Sequence, residues 1–215
     1  MKLFLDTANI SEIRAANAAG LINGVTTNPS LLAKEKLPIK ETIIEICELV
    51  DGPISAEVLN ISTTESIIAE AEDIAKWHRN IIVKIPCTLA GIAAAKILES
   101  RGIQTNITLV FSANQVLLAA KANASFISPF VGRLDDVGEN GLLMIANSLE
   151  IIRKHNFKSQ IIVASVRSPL TVVQAAQLGA HVATVPYKIL EQMIKHPLTD
   201  AGIKKFEEDW KNARL

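Results

Sequence analysis

KLFLDTANIS (2–11) holds the reading on which the fold turns. Its first half, KLFLD, is a short and nearly continuous apolar run, the pattern of a parallel strand covered on both faces. Its second half enters a helix, with Ser11 ahead of Glu12 and Ile13 as a start signal. A doubly wound sheet would ordinarily place a glycine-rich turn between such a strand and such a helix. DTANIS contains no glycine. The same alternation runs outward to the end of the chain. Seven further strands are predicted: GVTT (24–27), ISAEVL (54–59), IIVKIP (81–86), TNITLVF (105–111), SFISPF (125–130), QIIVAS (160–165) and HVATVP (181–186). Eight units share the chain at about 27 residues each, near the minimum for a strand and its crossover helix. The prediction is an α/β chain folded as a (β/α)8 TIM barrel, one domain over 1–215, at the short end of the size range.

Between the strands, apolar residues recur at helical spacing, as in Ile67, Ile68, Ala71, Ile74 and Ala75, and again from Leu142 to Ile152. Ser62-Thr63-Thr64 and Ser168-Pro169 mark helix starts, and Gly20, Gly102 and Gly179 mark stops. Asp135-Asp136 read as the cap of the sixth helix. After the eighth strand come a helix at Tyr187–Lys195, a break at Pro197 and an amphipathic tail, Ala201–Arg214. This extra C-terminal helix, about 198–214, exceeds what a barrel needs. Its apolar side, Ile203, Phe206 and Trp210, either folds back on the body or docks on a neighbouring subunit.

Composition removes several classes of function. The 215 residues carry 22 basic and 22 acidic side chains, so nothing favours a nucleic-acid or anionic-membrane partner. With 49% hydrophobic residues the chain is not disordered. Cys47 and Cys87 are the only cysteines and the four histidines are scattered singly, which argues against a disulfide scaffold or a metal centre. Asp6 interrupts the first apolar run too early for a secretory signal. The uncharged stretch Gly102–Ala120 contains Gln104, Asn106, Asn114 and Gln115 and changes from strand-like to helix-like midway, so it reads as buried strand plus helix. The expectation is a soluble, reduced, cytoplasmic protein.

A barrel of this kind works at the C-terminal ends of its strands. In chain order those ends present Asp6, Thr26 and Asn28, Glu57, Lys84, Asn106 and Thr108, Ser128, and Ser165 with Arg167. Lys84 is the most telling, since it lies inside IIVKIP between Val83 and Ile85 with no easy route to solvent. Burying an unpaired ammonium is costly, and a lysine so placed sheds its proton and becomes a nucleophile toward carbonyls. The structural alternative is an ion pair with a strand-end carboxylate such as Glu57. Asp6 and Glu57, beside an amine, could shuttle protons during carbinolamine formation, dehydration and carbon–carbon cleavage; the alternative for Asp6 is a helix cap. Arg133, Ser165 and Arg167 follow strands six and seven, and two guanidiniums with a hydroxyl suit a phosphate dianion. Cys87 has no nearby histidine to activate it and reads as packing.

Several segments in this order, FLDTAN (4–9), GVTTNPSLL (24–32), SAEV (55–58), IVKIP (82–86), TNITLVFS (105–112), SPFVGRLDD (128–136) and ASVRSP (164–169), resemble the small transaldolase subfamily of class I aldolases over nearly the whole chain. HPLTDAGIKKFEEDW (196–210) resembles the C-terminal helix of that family. The resemblance implies that Lys84 forms a Schiff base with a ketose phosphate, fructose 6-phosphate or sedoheptulose 7-phosphate. Asp6 would take the C4 hydroxyl proton, and Glu57 would position the water of imine formation. Asn28, Asn106 and Ser128 would hold the dihydroxyacetone unit, with Thr26 and Thr108 supporting proton transfer. Arg133, Ser165 and Arg167 would bind phosphate, and the resemblance implies no metal or organic cofactor. Acceptors would be erythrose 4-phosphate or glyceraldehyde 3-phosphate, in the non-oxidative pentose phosphate pathway, and the assembly a homo-oligomer, a pentamer or a decamer. The closely similar fructose-6-phosphate aldolases carry glutamine and tyrosine where this chain has Glu57 and Phe130. Phe130 has no proton to release the enamine, so transfer is expected over simple aldol cleavage. A fructose-6-phosphate aldolase and a non-catalytic sugar-phosphate-binding barrel are the two alternatives.

Overall fold

The structure is a computed structural model that describes residues 1–213. Eight parallel strands close into a barrel in sequence order. They are β1 (Lys2–Asp6), β2 (Val25–Thr26), β3 (Ile54–Glu57), β4 (Ile81–Pro86), β5 (Thr105–Val110), β6 (Phe126–Pro129), β7 (Gln160–Val163) and β8 (Val182–Val185). Closure comes from β1 pairing with β8, Lys2 opposite Val182 through Leu5 opposite Val185. All eight expected strands are present. Several end before their apolar runs do: Val58, Leu59, Phe111 and Pro186 lie beyond the strand ends, and Phe130 keeps an isolated bridge to Ala164.

The outer ring consists of α1 (Ile10–Ala18), α2 (Pro29–Glu35), α3 (Ile39–Leu49), α4 (Thr64–Ala75), α5 (Leu89–Ser100) and α6 (Ala113–Lys121) on one side of the sequence. It continues with α7 (Val131–Asp136), α8 (Gly141–Lys154), α9 (Pro169–Gln177), α10 (Tyr187–Ile194) and α11 (Pro197–Ala213). Helix starts follow capping chemistry: Thr63 heads α4 in a capping box with Ser66, and Ser168 heads α9 with Pro169 in the first turn. Gly20, Gly102 and Gly179 all take positive φ where α1, α5 and α9 end.

Three local expectations are corrected. Asn9 rather than Ser11 caps α1, its side chain accepting from the Glu12 N–H. Two helices, α2 and α3, separate β2 from β3. Asp135 and Asp136 end the short helix α7, while Asn140 caps α8; Asp135 Oδ1 instead accepts from Gly141 N–H at 3.0 Å. The C-terminal helix, α11, begins at Pro197, and none of its described residues is buried. Leu198, Ile203, Phe206 and Trp210 are exposed along it. Arg214, the expected end of that helix, lies outside the described residues.

Side-chain alternation divides the barrel interior into layers. Phe4, Ile82, Phe126, Ile162 and Val182 form an apolar cluster of their own, separate from the larger core that packs strands against helices. Two residues further along the same strands stand Asp6, Lys84, Ser128, Ala164 and Thr184. The dry layer is therefore the floor, and the next layer up is polar. The stretch Gly102–Ala120 resolves into β5 and α6, and among the described residues no helix is long and apolar enough to cross a membrane.

Candidate active site

Register brings the chemistry together. Glu57 and Asn106 flank Lys84 on neighbouring strands, and Asp6 lies opposite Thr26. Lys84 Nζ is 3.0 Å from Glu57 Oε2 and donates a second bond to the Thr27 carbonyl. The side chains of the pair are only 6% and 12% exposed. The amine is thus buried as expected, and the ion pair with Glu57 given as the alternative to an unpaired ammonium is the arrangement present: desolvation is offset by a carboxylate and a carbonyl. Attack on a carbonyl then requires one proton to leave Nζ, and Glu57 is in position to accept it.

Asp6 faces the same space from β1. Thr26 Oγ1 lies 2.8 Å from Asp6 Oδ1 and 2.6 Å from Thr184 Oγ1. Burial raises the Asp6 carboxyl above its ordinary range, against the bond from Thr26 and the charge of Lys84, which pull it down. A carboxylate raised in this way is a better proton acceptor near neutral pH. Asp6 is not a helix cap, since Asn9 takes that role. On the other side, Asn106 Nδ2 donates to Ser55 Oγ at 3.1 Å and its Oδ1 accepts from Ser128 Oγ at 2.7 Å, which fixes both side chains. Asn28 caps α2 through Oδ1, accepting from Leu31 N–H at 2.9 Å, so its NH2 is the end able to donate to a ligand.

A cavity of about 100 Å³ opens above this layer, lined by Asp6, Thr26, Asn28, Lys84, Thr108, Ser128, Phe130, Arg133, Ala164, Ser165 and Thr184. Nine of the twelve expected site residues are among its walls. Glu57 and Asn106 adjoin it through Lys84 and Ser128. Arg167 stands apart, its Nη2 2.8 Å from Asp136 Oδ2. At the rim the Arg133 guanidinium lies 4.9 Å over the Phe130 ring, which also packs edge-on to Phe111 at 5.7 Å. Ser165 is held with φ at +60°, a left-handed conformation that a non-glycine residue adopts at a cost. Gly132 permits the contact behind it: a Cβ there would lie 2.1 Å from the Ser165 carbonyl oxygen. Larger grooves of about 670 and 710 Å³ lie at the opposite end of the barrel and contain none of these groups.

Thr184 is the polar wall residue that the strand-end survey missed. Alternation could have found it, because HVATVP puts Val182 and Thr184 on one face. Cys87 is half-buried against the core, and burial pushes its thiol up, consistent with packing. Among the described residues no group of three or more histidine, cysteine, aspartate or glutamate side chains is arranged to hold a metal ion.

The sequence profile of the family described as Transaldolase/Fructose-6-phosphate aldolase matches residues 3–214. The chain belongs to this family. It is 57% identical to a "Probable transaldolase" of Thermoanaerobacter sp. (strain X514) over 215 residues, all of this chain and 99% of that one. Relatives with the same description from Pelotomaculum thermopropionicum and Clostridioides difficile are each 56% identical, again over 100% of this chain and 99% of theirs. Within the transaldolase/fructose-6-phosphate aldolase family, the barrel mouth with Lys84 at its centre is the candidate active site.

Proposed function

We propose that this chain is a transaldolase that moves a dihydroxyacetone unit from a ketose phosphate to an aldose phosphate through a Schiff base on Lys84. The observation that carries the reading is an amine in the wall of the barrel cavity with a carboxylate 3.0 Å behind it and a second carboxylate, Asp6, facing the same space. Lys84, relieved of a proton by Glu57, adds to the donor ketone. The carbinolamine loses water to give the iminium. Asp6 then takes the C4 hydroxyl proton, the C3–C4 electrons pass into the iminium, and an aldose phosphate leaves. Iminium and carboxylate lose their charges in the same step, which a dry site favours. The enamine attacks the incoming aldehyde, Asp6 returns its proton, and water frees the ketose product from Lys84.

Asn28, Asn106 and Ser128 hold the three-carbon unit in this scheme, with Thr26 and Thr108 supporting the transfers. Arg133, Ser165 and Arg167 receive the phosphate, for which Arg167 exchanges Asp136 for the ligand. Fructose 6-phosphate or sedoheptulose 7-phosphate would be donor, and erythrose 4-phosphate or glyceraldehyde 3-phosphate acceptor, within a cytoplasmic pentose phosphate pathway. The exposed apolar side of α11 supports a homo-oligomer, a pentamer or decamer, which light scattering tests.

Borohydride reduction with fructose 6-phosphate, followed by peptide mapping, tests the chemistry. The expected adduct is on Lys84, and an adduct on another lysine overturns the assignment. A coupled assay with and without erythrose 4-phosphate separates transfer from simple aldol cleavage.

A further inference from the structure

Thr184 has no role in the scheme above, yet it lies in the cavity wall and is bonded to the group that bonds Asp6. From this geometry we infer that Thr184 is a positioning residue that sets the proton affinity of Asp6 through Thr26; the inference rests on the proposed role of Asp6 in cleavage.

The argument is one of hydrogen counting. Thr26 Oγ1 carries a single hydrogen and has two oxygen neighbours, Asp6 Oδ1 at 2.8 Å and Thr184 Oγ1 at 2.6 Å. Thr26 and Thr184 are both buried. When Asp6 is ionised, a carboxylate accepts only, and Thr26 must donate to it. The 2.6 Å contact then requires Thr184 to donate to Thr26. The result is a chain, Thr184 to Thr26 to Asp6, with every hydrogen pointing at the charge. Each hydroxyl polarises the next, and a charge-assisted bond gains most from that. When Asp6 takes a proton and turns it toward Thr26, the chain reverses, with Thr26 donating to Thr184. Thr184 can both donate and accept, so the two proton states of Asp6 each keep a complete chain while no heavy atom moves. Valine has nearly the same shape and can do neither.

The charged groups around Asp6 are few. Lys84 faces it across the cavity with Glu57 behind, and Arg133 stands at the rim. Glu12 of α1 is engaged by Thr7 Oγ1 at 2.6 Å. Strand β8 contributes no ionisable side chain, reading VATV. The hydroxyl of Thr184 is therefore the feature of that strand through which Asp6 is adjusted.

The test is single-turnover cleavage of fructose 6-phosphate against pH, without acceptor, for Thr184→Val, Thr184→Ala and Thr184→Ser. Loss of the hydroxyl weakens support for the ionised form, so the acid limb moves up by about half a pH unit in the valine and alanine variants. Serine keeps the chain and keeps the wild-type limb. An unmoved limb in both hydroxyl-free variants, or a serine variant shifted as far as valine, overturns the inference. Borohydride trapping on the same samples keeps the two questions apart. Wild-type adduct yield on Lys84 with an unmoved limb refutes only the role of Thr184, whereas no Lys84 adduct in any sample refutes the Schiff-base reading and this inference with it.

Discussion

Replacing Glu57 by leucine removes the acceptor 3.0 Å from Lys84 Nζ and leaves the amine with the Thr27 carbonyl alone. At 6% exposure the lysine cannot reach bulk water. Breaking a buried pair from one side costs about 3–5 kcal/mol, because the remaining charge stays desolvated. The adjoining cavity of about 100 Å³ gives water room to approach, which places the cost at the lower end, about 3 kcal/mol. For a chain of this length each kcal/mol moves Tm by about 2–4 °C, so the expected loss is about 6–12 °C. Circular dichroism melts measure it, and urea midpoints give an independent value. The companion variant carries Lys84→Met together with Glu57→Leu. With both charges replaced by apolar groups of similar length, most of the lost stability returns. A single variant as stable as wild type, or a double variant as weak as the single, would show that the pair is not held as a desolvated ion pair and would refute the reasoning.

Asp6→Asn is expected to lose donor cleavage and yet gain stability at neutral pH. Burial raises the Asp6 carboxyl in the folded state, so its contribution is complete below the unfolded value of 3.8 and is lost as pH rises through the raised folded value. Asparagine has no such loss, and urea melts at pH 8 should favour the variant while those at pH 4 do not. His181 behaves oppositely: partial desolvation lowers it, and Nδ1 accepts from the Ile161 N–H at 3.1 Å. Its stabilisation is present above 6.5 and declines as pH falls through the lower folded value, so His181→Gln should flatten the stability profile on the acid side of 6.5, read by denaturant titration. Phe130→Tyr puts a phenol beside the enamine and should raise the release of free dihydroxyacetone without acceptor several-fold. Unchanged release in the coupled assay removes Phe130 from the control of transfer.

The barrel was legible because each strand is buried on both faces and so reads as an unbroken apolar run with turn residues at its ends. Polar residues inside such runs stand out, which is why Lys84, Asp6 and Glu57 could be named from sequence. Glu57 could even be named as a candidate partner of Lys84, but choosing between pairing and a free amine depends on the register of β3 against β4, and register is a tertiary quantity. Thr184 escaped because threonine is common in strands and signals nothing without its neighbours. The short helix α7 spans VGRLDD, six residues, too few for helical periodicity to register. Asn9 displaced Ser11 as a cap because both side chains can accept from a first-turn N–H, and only the path of the chain decides between them. Arg167 was grouped with the phosphate ligands by position, whereas its resting partner, Asp136, comes from α7.

Gly132 has a further consequence. By letting the start of α7 lie against the backbone at Ser165, it clasps two successive arms of the rim together, one bearing Arg133 and the other Arg167. The main chains that carry the two arginines are thereby held at a fixed spacing. Under the phosphate-binding roles proposed for Arg133 and Arg167, that spacing would set the depth at which the anion rests and so the length of sugar that reaches Lys84.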